Sequence, residues 1–321
     1  MARAINVLPL ITLLVAAAIA SAQPSNLPPI FFATVPEGRN LLMTRDDFIA
    51  RLSPFDRAAR MKMNRDVLEP EFLDFVGKNV LEWTPDETAA VRSAWTLLTP
   101  RLREFSLPFP KAIVFIKTTG AEEGGAEYTR ANAIILPQSA LVAAKRPALQ
   151  ATIAHELFHV LSRNAPALRD HLYAVIGFQP CGEIPFPPEL APRKITDPDA
   201  PKNDHCIRLK LGQSSVWAVP ILYSKADRYD PAAGGEFFQY LEFKFLVVQK
   251  SGARATYDPS KVTLLDANHV QGLYEQIGRN TDYILHPEEI LADNFKFLLI
   301  GKTNLPSPEV QRNLAAALRQ K

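Results

Sequence analysis

The sequence predicts an α+β fold, and three observations carry that prediction. Segments of strand composition gather in the middle of the chain, stretches with helix start signals stand before and after them, and the two kinds do not alternate as regular strand–helix–strand units. With 321 residues, 47% of them apolar and 22% charged, the chain is long enough to enclose a buried site. Its net charge of +2 provides no broad basic face, which argues against a nucleic-acid partner.

Taken in order, residues 1–22 read as a signal peptide. Arg3 gives a positive start, Val7 to Ala20 an apolar run shorter than a membrane span, and Ala20-Ser21-Ala22 the small residues of a cleavage site. No second run of spanning length follows, so the expectation is a periplasmic or secreted protein with no stable membrane span after cleavage behind Ala22. Residues 23–105 form a helical N-terminal part, in which Thr84, Pro85 and Glu87 supply an N-cap, a first helical position and a capping box. Lys111 to Thr119 and Ala131 to Pro137 are strands expected to pair, with a glycine-bearing turn at 120–125 between them. A helix from Pro147 to about Asn164 comes next, and Pro166 opens another.

A loop crowded with prolines (185, 187, 188, 192, 198 and 201) then separates Cys181 from Cys206. Two cysteines in an oxidising compartment predict a disulfide that closes the loop 181–206. Residues 206–211, 215–224 and 236–249 have strand composition. Helices are expected at about Asn268 to Arg279, from His286, and from Ser307.

The chemistry is concentrated in "ATIAHELFHVLSRN", residues 151–164. On a helix, His155 and His159 lie one turn apart on one face and aim two ring nitrogens at a single point, a donor pair suited to zinc. Glu156 is rotated by about 100° from His155, beside that point rather than on it, where it can take a proton from water. Ile153, Leu157, Val160 and Leu161 are apolar, so the two histidines are expected to be buried with their helix, and buried His and Glu need partners. Ser162 and Ala165 occupy the places where a metzincin would have Gly and a third His, which excludes that branch. Downstream, "HPEEILADNF" places Glu289 and Asp293 one turn apart on a helix opened by Pro287. Glu289 is the expected third ligand, with Glu288, another carboxylate or no metal at all as the alternatives, and Asp293 is the expected hydrogen-bond partner that orients His155.

"HELFH" followed by "EEILAD" resembles the gluzincin type of zinc metallopeptidase, in which two His and a distant Glu hold zinc on neighbouring helices. The resemblance implies a zincin-like catalytic domain over residues 106–321, with a strand-rich insertion ahead of the C-terminal helices. It also implies zinc as cofactor, Glu156 as general base, a peptide or protein substrate, and Ala131 to Pro137 as an edge strand for that substrate. Tyr283, His286 and Tyr274 are the candidates for stabilising the oxyanion. Two other readings stand beside this one: a zinc hydrolase of a non-peptide amide, and a non-catalytic secreted binding protein whose zinc site is structural or degenerate.

Overall fold

The computed structural model describes residues 27–319, so the expected signal peptide lies outside the described residues. The chain opens with strand β1 (Ile30–Phe32) and helices α1 (Val35–Leu42), α2 (Pro54–Arg60) and α3 (Glu69–Lys78), followed by β2 (Val80–Leu81) and α4 (Pro85–Leu102). Strands β3 (Ile113–Thr118), β4 (Tyr128–Arg130) and β5 (Ala133–Pro137) lead into α5 (Leu149–Asn164) and α6 (Pro166–Val175). Next come β6 (Phe178–Pro180), β7 (His205–Leu211), β8 (Ser214–Ser224), β9 (Leu241–Ser251), β10 (Arg254–Thr256) and β11 (Leu264–Leu265). Helices α7 (Tyr274–Ile277), α8 (Pro287–Leu299) and α9 (Pro308–Arg319) close the chain. The class is α+β, as the sequence predicts.

The first sheet has the order β1-β3-β5-β4, with β2 also paired to β3. Alternate residues of its central strands enter two cores. Ile113, Phe115, Ile134 and Leu136 face the core that holds α4, α5, α8 and α9, while Ile116, Ala133 and Ile135 face the one built from α1, α3 and the turn between α1 and α2. Coverage of both faces explains why these strands read as nearly continuous apolar runs. The two strands expected to pair do so, in parallel, with Phe115 opposite Ile134. Ala131, at φ 51°, turns the tight antiparallel hairpin of β4 and β5, and that turn sets β5 parallel to β3. The edge is therefore β4, not the segment from Ala131 to Pro137.

The strand-rich stretch before the C-terminal helices is the second sheet, antiparallel in the order β10-β9-β8-β7-β6, with β11 on β9. Ile207, Leu209, Ala218 and Phe245 join the main core, and Val219, Ile221, Leu246 and Val248 cover Ile184 and Leu190 of the Pro-rich loop. Residue 105 marks no break between bodies, because β1 and β2 belong to the sheet of β3, and α4 shares a core with α5 and α8.

Two expectations need correction. Cys181 and Cys206 are buried free thiols rather than a disulfide. The pairing of β6 with β7 sets Gln179 opposite Cys206, and Cys181 N–H bonds to Asp204 O, so the two cysteines are diagonal neighbours. Their two thiols lie against each other, near enough for a hydrogen bond between them, without a covalent link. The helix expected at 268–279 shrinks to a four-residue α7, because Gln271 pairs with Lys210 and Gly272, at φ 80°, breaks the run. No helix among the described residues is long and apolar enough to cross a membrane.

Candidate metal centre

Helices α5 and α8 run antiparallel through the main core and carry the site between them. Leu157, Phe158, Leu161, Ile290, Leu291 and Phe295 are fully or almost fully buried, and the rings of Phe158 and Phe295 meet at 5.7 Å. Helix α5 stops at Asn164 because Pro166 restricts Ala165, which leaves the helical region. Helix α8 starts with Pro287 at its first position and His286 as N-cap, whose Nδ1 accepts the Glu288 N–H at 3.1 Å.

The antiparallel arrangement pairs the helices residue by residue. His155 Nδ1 lies 2.9 Å from Asp293 Oδ1, and His159 Nδ1 lies 2.9 Å from Glu288 Oε1. With a proton on each Nδ1, both rings donate to a carboxylate and keep Nε2 free as a ligand. Asp293, the expected orienting partner, is the residue found at His155 Nδ1, and Thr281 and Lys296 also donate to its carboxylate. Glu288, which the sequence left as an alternative ligand, holds His159 instead. It also accepts bonds from Ser162 Oγ and Tyr173 OH.

Glu289 points to the other side. Its Oε2 is 3.1 Å from His155 Nε2 and its Oε1 is 3.6 Å from His159 Nε2. Donors bound to zinc at about 2.0–2.1 Å with tetrahedral angles lie about 3.3 Å apart, close to these two distances, and His155, His159 and Glu289 offer ligand atoms that all lie within 4.8 Å of one another. The chemistry of the donors agrees: without a metal, His155 faces a carboxylate at each of its nitrogens and stands 4.8 Å from the His159 ring. Burial works against a charge on His155, yet Asp293 and Glu289 outweigh it and hold the imidazole up at about 9. His159 is raised as well, with Asp199 and Glu289 overcoming its burial. Two adjacent imidazoliums in a buried space are an expensive arrangement that one divalent ion replaces.

Glu156 is 4% exposed, and its Oε2 has no hydrogen-bond partner. Burial first, and then the charge of Asp199, push its carboxyl up to about 8. Asp199 is one of two aspartates that the sequence reading missed. Together with Asp197 it comes from the Pro-rich loop, and Glu156, His159 and Asp199 offer atoms within 4.8 Å of one another. The loop is fixed at both ends of this turn. Thr196 N–H bonds to Asp56 Oδ1 at 3.0 Å, the Arg60 guanidinium donates to Thr196 O at 2.9 Å, and Arg163 donates to Pro198 O at 3.0 Å. Thr129 N–H on the edge strand β4 donates to Asp199 Oδ1 at 2.8 Å.

Of the three oxyanion candidates, Tyr283 lies at the site, its ring stacked on His155 with centroids 6.4 Å apart. His286 is spent on capping α8, and burial keeps it neutral at pH 7 by lowering its pKa to about 4. Tyr274 sits on α7 with Arg279 over its ring at 4.2 Å. Beside Tyr283 a cavity of about 180 Å³ opens, walled by Leu222, Phe237, Phe238 and Leu241 and bordered by Asp197 and Asp199. No family model, no curated protein and no solved structure matches this chain.

Proposed function

We propose that the chain is an exported, zinc-dependent hydrolase of the gluzincin type that cleaves peptide bonds, with a zincin-like fold around α5 and α8. The observation that carries this reading is the donor triangle of His155 Nε2, His159 Nε2 and Glu289, with both imidazoles held at Nδ1 by carboxylates. His155, His159 and Glu289 would hold the zinc ion, which would supply Lewis acidity and would bring the ionisation of a water into the neutral range.

The remaining work falls to the side chains. Glu156 takes the proton of the attacking water on its unpartnered Oε2 and returns it to the leaving amine. Asp293 and Glu288 keep the ligand rings aligned. Tyr283, kept protonated by the Glu289 charge, donates to the carbonyl oxygen as negative charge grows there. The apolar cavity beside it accepts a substrate side chain.

One observation favours a second reading, an amide of small size. The edge strand β4 has three residues, and its Thr129 N–H is already donated to Asp199, so little edge is free to pair with a long extended peptide. A panel of proteins, short peptides and non-peptide amides separates the two readings. The first test is metal content of wild type and Glu289→Ala by elemental mass spectrometry. About one zinc per wild-type chain, and marked loss in the variant, is expected. Glu156→Gln should retain zinc and lose about 10²–10⁴-fold in kcat, and an equally active variant would sink the mechanism.

A further inference from the structure

We propose that Asp197, Asp199 and Glu289 form a second cation position beside the zinc triangle, that it takes a hard divalent cation of the calcium, magnesium or manganese class, and that Glu289 is shared by both positions. This inference rests on the reading of His155, His159 and Glu289 as the first position. The three carboxylates present oxygens within 4.8 Å of one another. Oxygens bound to one such cation at about 2.0–2.6 Å can lie up to about 5 Å apart across it, so the spacing suits a common ion. An all-oxygen donor set selects a hard cation over zinc.

A group of acids alone would not mark a site, but a separate observation points to a missing partner. Glu156 Oε2, buried in the same space, has no hydrogen-bond donor, and the carboxylate of Asp199 stands within 4.8 Å of the Glu156–His159 pair. A buried carboxylate oxygen without a donor calls for a partner. Among the described residues Arg163 is the cation that reaches Asp199, 3.7 Å from Oδ1.

The loop is built to hold its carboxylates still. The hydrogen bonds from Thr129 N–H and from the Thr129 hydroxyl both fall on Asp199 Oδ1, and the Arg163 guanidinium forms an ion pair with the same oxygen at 3.7 Å. That leaves Oδ2 for a ligand. Asp197 Oδ1 accepts the Asp199 N–H at 2.9 Å, which fixes one carboxylate relative to the other. Positions prepared in this way lose little freedom when an ion arrives.

The experiment strips the full chain with a chelator, reloads it with one equivalent of zinc, and titrates it with Mn²⁺ followed by electron paramagnetic resonance. Bound zinc is read by elemental mass spectrometry on the same samples. Expected are one zinc and one Mn²⁺ per wild-type chain, displacement of Mn²⁺ by Ca²⁺ or Mg²⁺, and Mn²⁺ affinity lower by at least about tenfold in Asp197→Asn, which keeps its zinc and its Asp199 hydrogen bond. Zinc without Mn²⁺ in the wild type overturns the second position and leaves the first standing. Equal Mn²⁺ binding in wild type and Asp197→Asn also overturns it, and absence of zinc overturns both readings. Circular dichroism establishes that Asp197→Asn is folded, and Asp199→Asn serves as the second variant, with the same expected loss.

Discussion

Glu288 is the residue whose replacement most directly tests how the metal centre is held. In Glu288→Gln the amide oxygen can stay on His159 Nδ1 and Ser162 Oγ, with the NH₂ group turned to the hydroxyl oxygen of Tyr173, so the shape of the site survives and the negative charge is lost. Loss of a carboxylate behind a ligating imidazole lowers metal affinity by about 10–100-fold, equivalent to about 1.4–2.7 kcal/mol. Glu288 is 2% exposed, so bulk solvent does not reach it to take over its role and the upper half of that range is expected. Asp293→Asn belongs in the lower half, because its carboxylate is more exposed and Lys296 and Thr281 remain to anchor the amide. Zinc affinity is measured by competition with a chromogenic chelator, with thermal unfolding of the metal-free variants as the control for folding. An unchanged zinc affinity in Glu288→Gln would refute the reasoning. So would retention of zinc in Glu289→Ala combined with its loss in Glu288→Gln, since the two adjacent glutamates would then have exchanged roles.

Two further predictions concern protons and buried charge. Zinc must displace protons from the two imidazoles, and since His155 titrates at about 9 and His159 is also raised, zinc affinity should fall as pH drops below about 9. Calorimetry in buffers of different ionisation enthalpy should find protons released at pH 7, and none released would contradict the pairing. In the metal-free protein the raised His155 stabilises the fold fully below the unfolded value of about 6.5 and loses this contribution, about 3 kcal/mol, as pH rises through about 9; urea unfolding along that range checks the sign. Arg60→Ala strips the partner from Asp56 and Glu123, all three side chains being buried, and should cost about 3–5 kcal/mol by urea unfolding. A cost below about 1 kcal/mol would show that the trio is solvated or rearranges freely.

Much of the site was legible because helix geometry is local. The spacing of His155 and His159 required one face, the spacing of Glu289 and Asp293 required another, and the capping box of Thr84 and Glu87 follows from side chains a turn apart. What the sequence left open is the phase between α5 and α8. Glu288 and Glu289 are adjacent and equally acidic, and each could serve as ligand until the helices are set side by side. Their antiparallel course, which takes His155 to Asp293 and His159 to Glu288, turns Glu289 toward both Nε2 atoms and Glu288 away from them. The edge strand was misplaced for a related reason: the turn at Ala131 that decides the neighbours of β5 depends on one residue in a left-handed conformation that alanine rarely adopts.

Asp197 and Asp199 show where local reading ends. "TDPDAP" has no period, and its prolines announce only a stiff loop. Its destination is decided by Asp56 and Arg60 on α2, Thr129 on β4 and Arg163 on α5, which grip Thr196, Asp199 and Pro198 from three different parts of the chain. The residues that fix the loop are therefore as necessary to the chemistry as those that touch it. Arg60→Ala should act at a distance, loosening the Thr196 carbonyl and with it the aspartates, so that Mn²⁺ binding weakens while the zinc triangle on α5 and α8 keeps its metal. Equal loss of both ions in that variant would mean that the two positions stand or fall as one unit.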